Sequence, residues 1–216
     1  MLKKRPFIRI IFIFVITLAG LILVYPAVRK TYLDLLVCTG NHYLSKPGKD
    51  ALVKFMENKE SKDLDLVLYI GNSLKMKTDR NAYFLVTKAS IFYIVWLHLA
   101  LMIALIMASP VPLLRKLIVL FTGVLLVHVI GYLKLLIQVY YVCNHSPGLE
   151  ILMLSPSQLK VTDLLLDHFT DTVQPSLILV IILWLLITFT LKDYNNLMGL
   201  TKQENKTTLK AKARRQ

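Results

Sequence analysis

Residues 10–28 read IIFIFVITLAGLILVYPAV, nineteen consecutive positions without a charge. At about 1.5 Å of rise per residue, a helix of that length nearly crosses a hydrocarbon core about 30 Å thick. Lys3, Lys4, Arg5 and Arg9 stand in front of it. A secretory leader also begins basic, but its apolar region runs only about 7–15 residues and ends at small side chains. Here Tyr25, Pro26 and Val28 occupy that place, so the segment reads as a retained anchor.

Three further stretches have comparable character. Residues 89–109 contain one ionisable side chain, His98. Residues 117–142 are interrupted by His128 and Lys134, and residues 176–191 form a shorter apolar run of sixteen. The whole chain agrees: of 216 residues 56% are hydrophobic and 18% charged, and the mean hydropathy is +0.58. A soluble domain carries about 45–50% apolar residues, and a soluble nucleic-acid binder would spread its 26 lysines and arginines over a surface. Here they alternate with long apolar runs, which excludes nucleic acid as the partner and points to the lipid bilayer.

The expected fold is an all-α membrane protein with four transmembrane helices. It has a small extracytoplasmic α+β segment between spans one and two and an amphipathic helix between spans three and four. Lysine and arginine near span ends set orientation. Four precede the first span, Arg115 and Lys116 lie in the turn at 110–116, and the tail at 192–216 holds seven. With four spans these fall on one side, so both termini are expected in the cytoplasm. The segment 29–88 carries eleven basic and seven acidic residues, but loops of that length translocate largely regardless of charge.

The extracytoplasmic segment 29–88 is expected to continue the first helix through residues 30–44, until Lys46-Pro47-Gly48 stops it. Short strand-like runs follow at 51–56, 64–70 and 82–86, with Gly71-Asn72 as a turn signal. Some forty residues cannot bury a core alone, so this piece must pack on the membrane surface, on the second loop or on a partner. The second loop, 143–175, holds Ser155-Pro156-Ser157-Gln158, a capping box with proline at the first helical position. Leu159, Thr162, Leu166, Phe169 and Val173 share one face of the ensuing helix, with Asp163, Asp167 and Asp171 beside it. The aspartates and His168 lack the ligand number and turn of a calcium loop and read as a solvated face.

Ionisable groups inside spans cost about 2.5–3.5 kcal/mol each even on the most lenient scale. That singles out His98, His128 and Lys134, with Gln138 on the same stripe as Lys134, Gly131 and Tyr141. The two histidines are expected at equal depth, because spans two and three are antiparallel and joined by a tight Pro110-Val111-Pro112 turn. They read either as a proton relay, metal pair or cofactor clamp, or as groups hydrogen-bonded to neighbouring helices, with Lys134 reaching out to the interface. Cys38 and Cys143, the only cysteines, both fall on the outer side; a disulfide between them is one reading, two separate thiols another, and a Cys–His nucleophile with His42 or His145 a third, for which no orienting group is apparent. No HExxH, GxSxG, CxxC or phosphate-cradling glycine loop is present, so no cofactor is expected.

Residues 93–138 carry a resemblance. Residues 100–110 read ALMIALIMASP, 113–116 LLRK and 121–128 FTGVLLVH; together they resemble the small bacterial membrane proteins that accompany exosortases. The resemblance covers about a fifth of the chain and implies an accessory role in sorting or processing surface proteins. Exosortases themselves use a membrane-embedded cysteine with arginine and histidine. The spans here contain no arginine and both cysteines lie at helix ends, so the enzyme's activity is not implied. The expectation is a non-enzymatic accessory or assembly subunit in a bacterial inner membrane, bound to a larger integral membrane protein. The alternative is an embedded enzyme or transporter working through His98, His128 and Lys134.

Overall fold

The computed structural model describes residues 6–47, 51–61, 64–73, 85–146, 154–189 and 193. The basic residues at 3–5, most of the tail, residues 147–153 of the second loop and the start of the third expected strand lie outside them. The chain begins with helix α1, Pro6–Tyr43, whose 38 residues run straight through Pro26. Three strands follow: β1 Ala51–Glu57, β2 Leu66–Asn72 and β3 Leu85–Ala89. A π-helical turn, Phe92–Trp96, leads into α2, Leu97–Ala108. Helix α3 spans Leu113–His145. Helix α4, Pro156–Leu165, continues as a second π-helical turn, Leu166–Asp171, and α5 closes the described chain at Val173–Thr188.

Among the described residues, two helices are by themselves long and apolar enough to cross a membrane, Phe7–Tyr43 and Leu113–His145. The apolar helix Phe92–Ala108 is shorter, and α4 and α5 meet at 79°; taken together they would make a third crossing, bent or re-entrant. The chain is thus a mostly helical membrane protein with a small sheet.

As expected, α1 continues past its apolar part to Tyr43. The strands are an antiparallel meander in the order β1-β2-β3, pairing Phe55 with Leu68 and Leu68 with Thr87. Gly71 and Asn72 close β2 instead of forming the expected turn. They remain in the ladder because Ala51 and Leu52 supply partners opposite them. The described part of β3 runs from Leu85 to Ala89, three residues past the end of the run at 82–86 expected from sequence, whose first three positions lie outside the described residues.

The sheet has no core of its own. Val53, Phe55, Leu66, Leu68 and Ile70 join Leu33 and Leu36 of α1 and Ile91 and Val95 of the first π turn in one buried cluster. A short meander gains stability only by sharing apolar surface this way. The free edge of β1 is closed by the end of α1. The Asn41 side chain donates to the Phe55 carbonyl at 3.0 Å and accepts from the Phe55 amide at 2.8 Å, while the Val53 amide donates to the Ser45 carbonyl. Edge amides are thereby paired within the chain. The approach requires Gly40, where a Cβ would stand 2.9 Å from the Phe55 ring.

Helix α4 has the capping box read from its sequence. The Ser155 hydroxyl accepts from the Gln158 amide, and the Gln158 side chain accepts from the Ser155 amide at 2.9 Å. Its Leu166 face is turned inward, while Val161 and Leu164 are exposed.

Candidate functional site

The polar residues singled out in the spans divide between two places. Helix α3 presents Lys134 toward α2 and α5, and Lys134 is 1% exposed. It does not reach out to an interface. Its Nζ donates to the Ser176 hydroxyl at 2.8 Å and lies 3.4 Å from His98 Nε2. His98 and Ser176 are both fully buried, with Nε2 and Oγ 2.7 Å apart. The Phe169 ring, from the π turn after α4, sits with its centroid 5.6 Å from the Lys134 ammonium.

His128 belongs elsewhere. Its Nδ1 lies 2.7 Å from the Val124 carbonyl and its Nε2 2.7 Å from the Tyr32 hydroxyl of α1. A carbonyl can only accept, so Nδ1 carries the proton, and in the neutral ring Nε2 accepts from Tyr32. Thr39 and Tyr132 hydrogen-bond along the same seam. The expected histidine pair is therefore not formed: His98 is drawn to α5 and His128 to α1. Gln138 donates to the Thr87 hydroxyl at 3.0 Å and ties α3 to β3. Gly131 lies against Val95. Lys134, Gln138 and Gly131 of the stripe all meet groups within the chain.

Cys38 and Cys143 are both free thiols, the first exposed and the second buried, so the disulfide reading is not realised. His145 stacks on Tyr141, and its Nε2 lies 3.2 Å from Asp163 Oδ1 without hydrogen-bond alignment. No group of three histidine, cysteine or acidic side chains able to hold a metal occurs among the described residues.

Sequence reading missed Ser176, which it counted only as the start of an apolar run, and a buried carboxylate, Asp65. Asp65 is 1% exposed and accepts from Tyr25 Oη at 2.9 Å, Arg29 Nε at 3.1 Å and the Ile91 amide at 2.8 Å. It thereby pins the start of β2 to α1 and to the first π turn. The signal was present in Leu64-Asp65-Leu66, an acid flanked by apolar residues, but an alternating strand equally allows it to face water.

The hydrogen bonding of the Lys134 centre decides its chemistry. The Ser176 hydroxyl donates to the Val173 carbonyl at 2.8 Å. The His98 Nε2–Ser176 Oγ bond runs in either direction with the tautomer: a protonated Nε2 donates to the hydroxyl, and a bare Nε2 accepts, with Lys134 3.4 Å away as a second donor. A serine nucleophile needs the second arrangement, its proton shared with a base. In either tautomer His98 Nδ1 is buried without a partner. Lys134 itself touches a hydroxyl, an imidazole and an aromatic ring, and no carboxylate among the described residues. The arrangement is rich in donors and has no negative charge.

Comparison with protein-family models, curated proteins and solved structures returns no match to this chain.

Proposed function

We propose that the protein is a non-enzymatic accessory or assembly subunit of a bacterial envelope system for sorting or processing surface proteins. In this reading it resides in the inner membrane with four spans and both termini in the cytoplasm, and it binds a larger integral membrane protein. The observation that carries the reading is the state of α1. None of its most apolar eighteen-residue window is buried; Phe12, Val15 and Ile16 are 53–55% exposed and Leu23 79%. The outer half of the same helix is by contrast tied down by Asp65, His128, Tyr132 and the sheet. One face of the span rests on the helix Phe92–Ala108, where Trp96 Nε1 donates to the Leu21 carbonyl; the opposite, exposed face is suited to pack against a partner's helix, while the outer half transmits that contact to the sheet.

The alternative, an embedded enzyme or transporter using His98, His128 and Lys134, has less support. His128 points away from the other two, and Ser176 is hydrogen-bonded as an acceptor.

The test is gentle solubilisation of the tagged full-length chain from native membranes. One stoichiometric membrane protein should follow it, and should be lost when residues 10–24 are replaced by a featureless leucine helix that leaves the thermal stability unchanged. Recovery as a lone monomer, or a partner retained by the leucine variant, would refute the assignment of the contact to α1.

A further inference from the structure

Where the start of α1 meets the ends of α2 and α5, the helices leave a groove of about 310 Å³. Among the described residues its walls are Ile10, Ile11 and Phe14 of α1, Leu105 and Ala108 of α2, and Trp184 of α5. The polar atoms there already satisfy one another. Trp184 Nε1 donates to the Ser109 hydroxyl at 3.0 Å, and that hydroxyl donates to the Leu105 carbonyl at 2.7 Å. A polar occupant would give up its water for no new hydrogen bond, so the groove suits an apolar one. A partner's helix, about 10 Å across, is too wide to enter; a hydrocarbon chain, one carbon wide, is not. The mouth, by contrast, is basic. Ile10 follows residues 1–9, Pro110 opens the turn at 110–116, and Phe189 stands three residues before the tail at 192–216. Those three segments hold thirteen basic residues and two acidic ones, Asp193 and Glu204. Of the described members, Arg9 is exposed, Arg115 is held by Asp193 at 2.6 Å, and Lys116 donates to the Met107 carbonyl. An apolar slot with a cationic mouth matches a molecule that is an apolar chain with an anionic end.

We propose that this groove binds one acyl chain of an anionic phospholipid, whose headgroup is met by Arg9 and the basic segments beside it. Burial of methylenes supplies an attraction common to all lipids, and the cationic mouth supplies the preference for a negative headgroup. Trp184, as a wall of the groove, then touches the bound chain. The proposal rests on the membrane class of the protein and not on the accessory reading.

The test uses the full-length chain reconstituted in phosphatidylcholine vesicles, with Trp184 as a fluorescent reporter. The other tryptophan, Trp96, lies twelve residues before Ala108 on the same helical run, roughly 18 Å along it. It is removed as Trp96→Phe, which keeps an aromatic ring beside Tyr25 and Tyr32. Brominated acyl chains quench a tryptophan that they touch. Half-maximal quenching of Trp184 is expected at about a fivefold lower mole fraction of brominated phosphatidylglycerol than of brominated phosphatidylcholine. Arg9→Gln, at an exposed position, should erase most of that difference, and so should Ala108→Leu, which fills the groove. If Ala108→Leu does not reconstitute, Arg9→Gln decides alone. Trp184→Phe, with Trp96 retained, should show no preference between the two lipids. Equal quenching of Trp184 by both lipids would mean ordinary lipid contact and would overturn the proposal. So would quenching by neither, which would give the groove to a protein segment, or a preference undiminished in Arg9→Gln.

Discussion

Replacing Gly131 by alanine tests how closely α3 approaches the first π-helical turn. A Cβ at Gly131 would stand 2.4 Å from Val95 Cγ2, with Val95 Cβ at 3.5 Å and Cγ1 at 3.6 Å. Val95 is 1% exposed, and a β-branched side chain in a helix has one strongly preferred rotamer, so it cannot swing aside. Forcing a methyl group into such a contact costs about 1–3 kcal/mol. Alanine also gains about 1 kcal/mol over glycine in a helix, which would blur the result if Gly131→Ala were read alone. Gly20→Ala provides the reference, because nothing lies within 4 Å of a Cβ there. The propensity gain is common to both variants and cancels, leaving the 1–3 kcal/mol contact term. At about 2–4 °C per kcal/mol for a chain of this size, Gly131→Ala should melt roughly 5 °C below Gly20→Ala. Both would be followed by thermal unfolding in one detergent. Introduced into a Val95→Ala background, where both γ-carbons are gone, Gly131→Ala should become neutral or stabilising. Equal melting of the two single variants, or an undiminished loss in the Val95→Ala background, would refute the packing argument.

Other expectations follow from the same contacts. Gly123→Ala should be nearly neutral, since its Cβ would meet Met102 Cγ at 3.0 Å and the flexible methionine can move; a loss as large as that of Gly131→Ala in the same melt would contradict this. Asp65→Ala leaves Arg29, Tyr25 and the Ile91 amide without their acceptor and should cost about 3 kcal/mol or more. Asp167→Ala, at an exposed position, is the control, and similar melting of the two would dismiss the buried pair as a stabilising element. Ser155→Ala should remove about 1 kcal/mol of helix capping and speed amide exchange in Pro156–Leu165 without altering exchange in α3. A membrane-impermeant maleimide added to intact cells with a permeable outer layer should label Cys38 and leave Cys143 unmodified until the chain is denatured. Labelling of Cys38 only from the cytoplasmic side would reverse the proposed orientation.

Where the sequence was legible, the signal was local. The apolar run of α1, its continuation to Tyr43, and the capping box at Ser155 each depend on residues within a few positions of one another. β1 was readable because Ala51, Val53 and Phe55 alternate with more exposed neighbours. β2 gave a weaker pattern, since it is the central strand and all but Tyr69 are buried. Gly71-Asn72 looked like a turn because those residue types favour turns, but the pairing with Ala51 and Leu52 overrode that preference. Ser176 and Asp65 were invisible as site residues, because nothing in their own neighbourhood says which element they will face.

The membrane class, the long first helix and the dependence of the small sheet on a larger body were determined by the sequence alone. Apolar length is a local property judged against a fixed bilayer thickness, and forty residues hold too little apolar surface to stand alone. The tertiary structure alone decided which polar groups meet. Three- and four-residue spacing defines a face on one helix, but the direction in which that face looks depends on how neighbouring helices are rotated and tilted. That rotation carried His98 to Lys134 and Ser176, gave His128 to Tyr32, and made the polar stripe of α3 an internal seam.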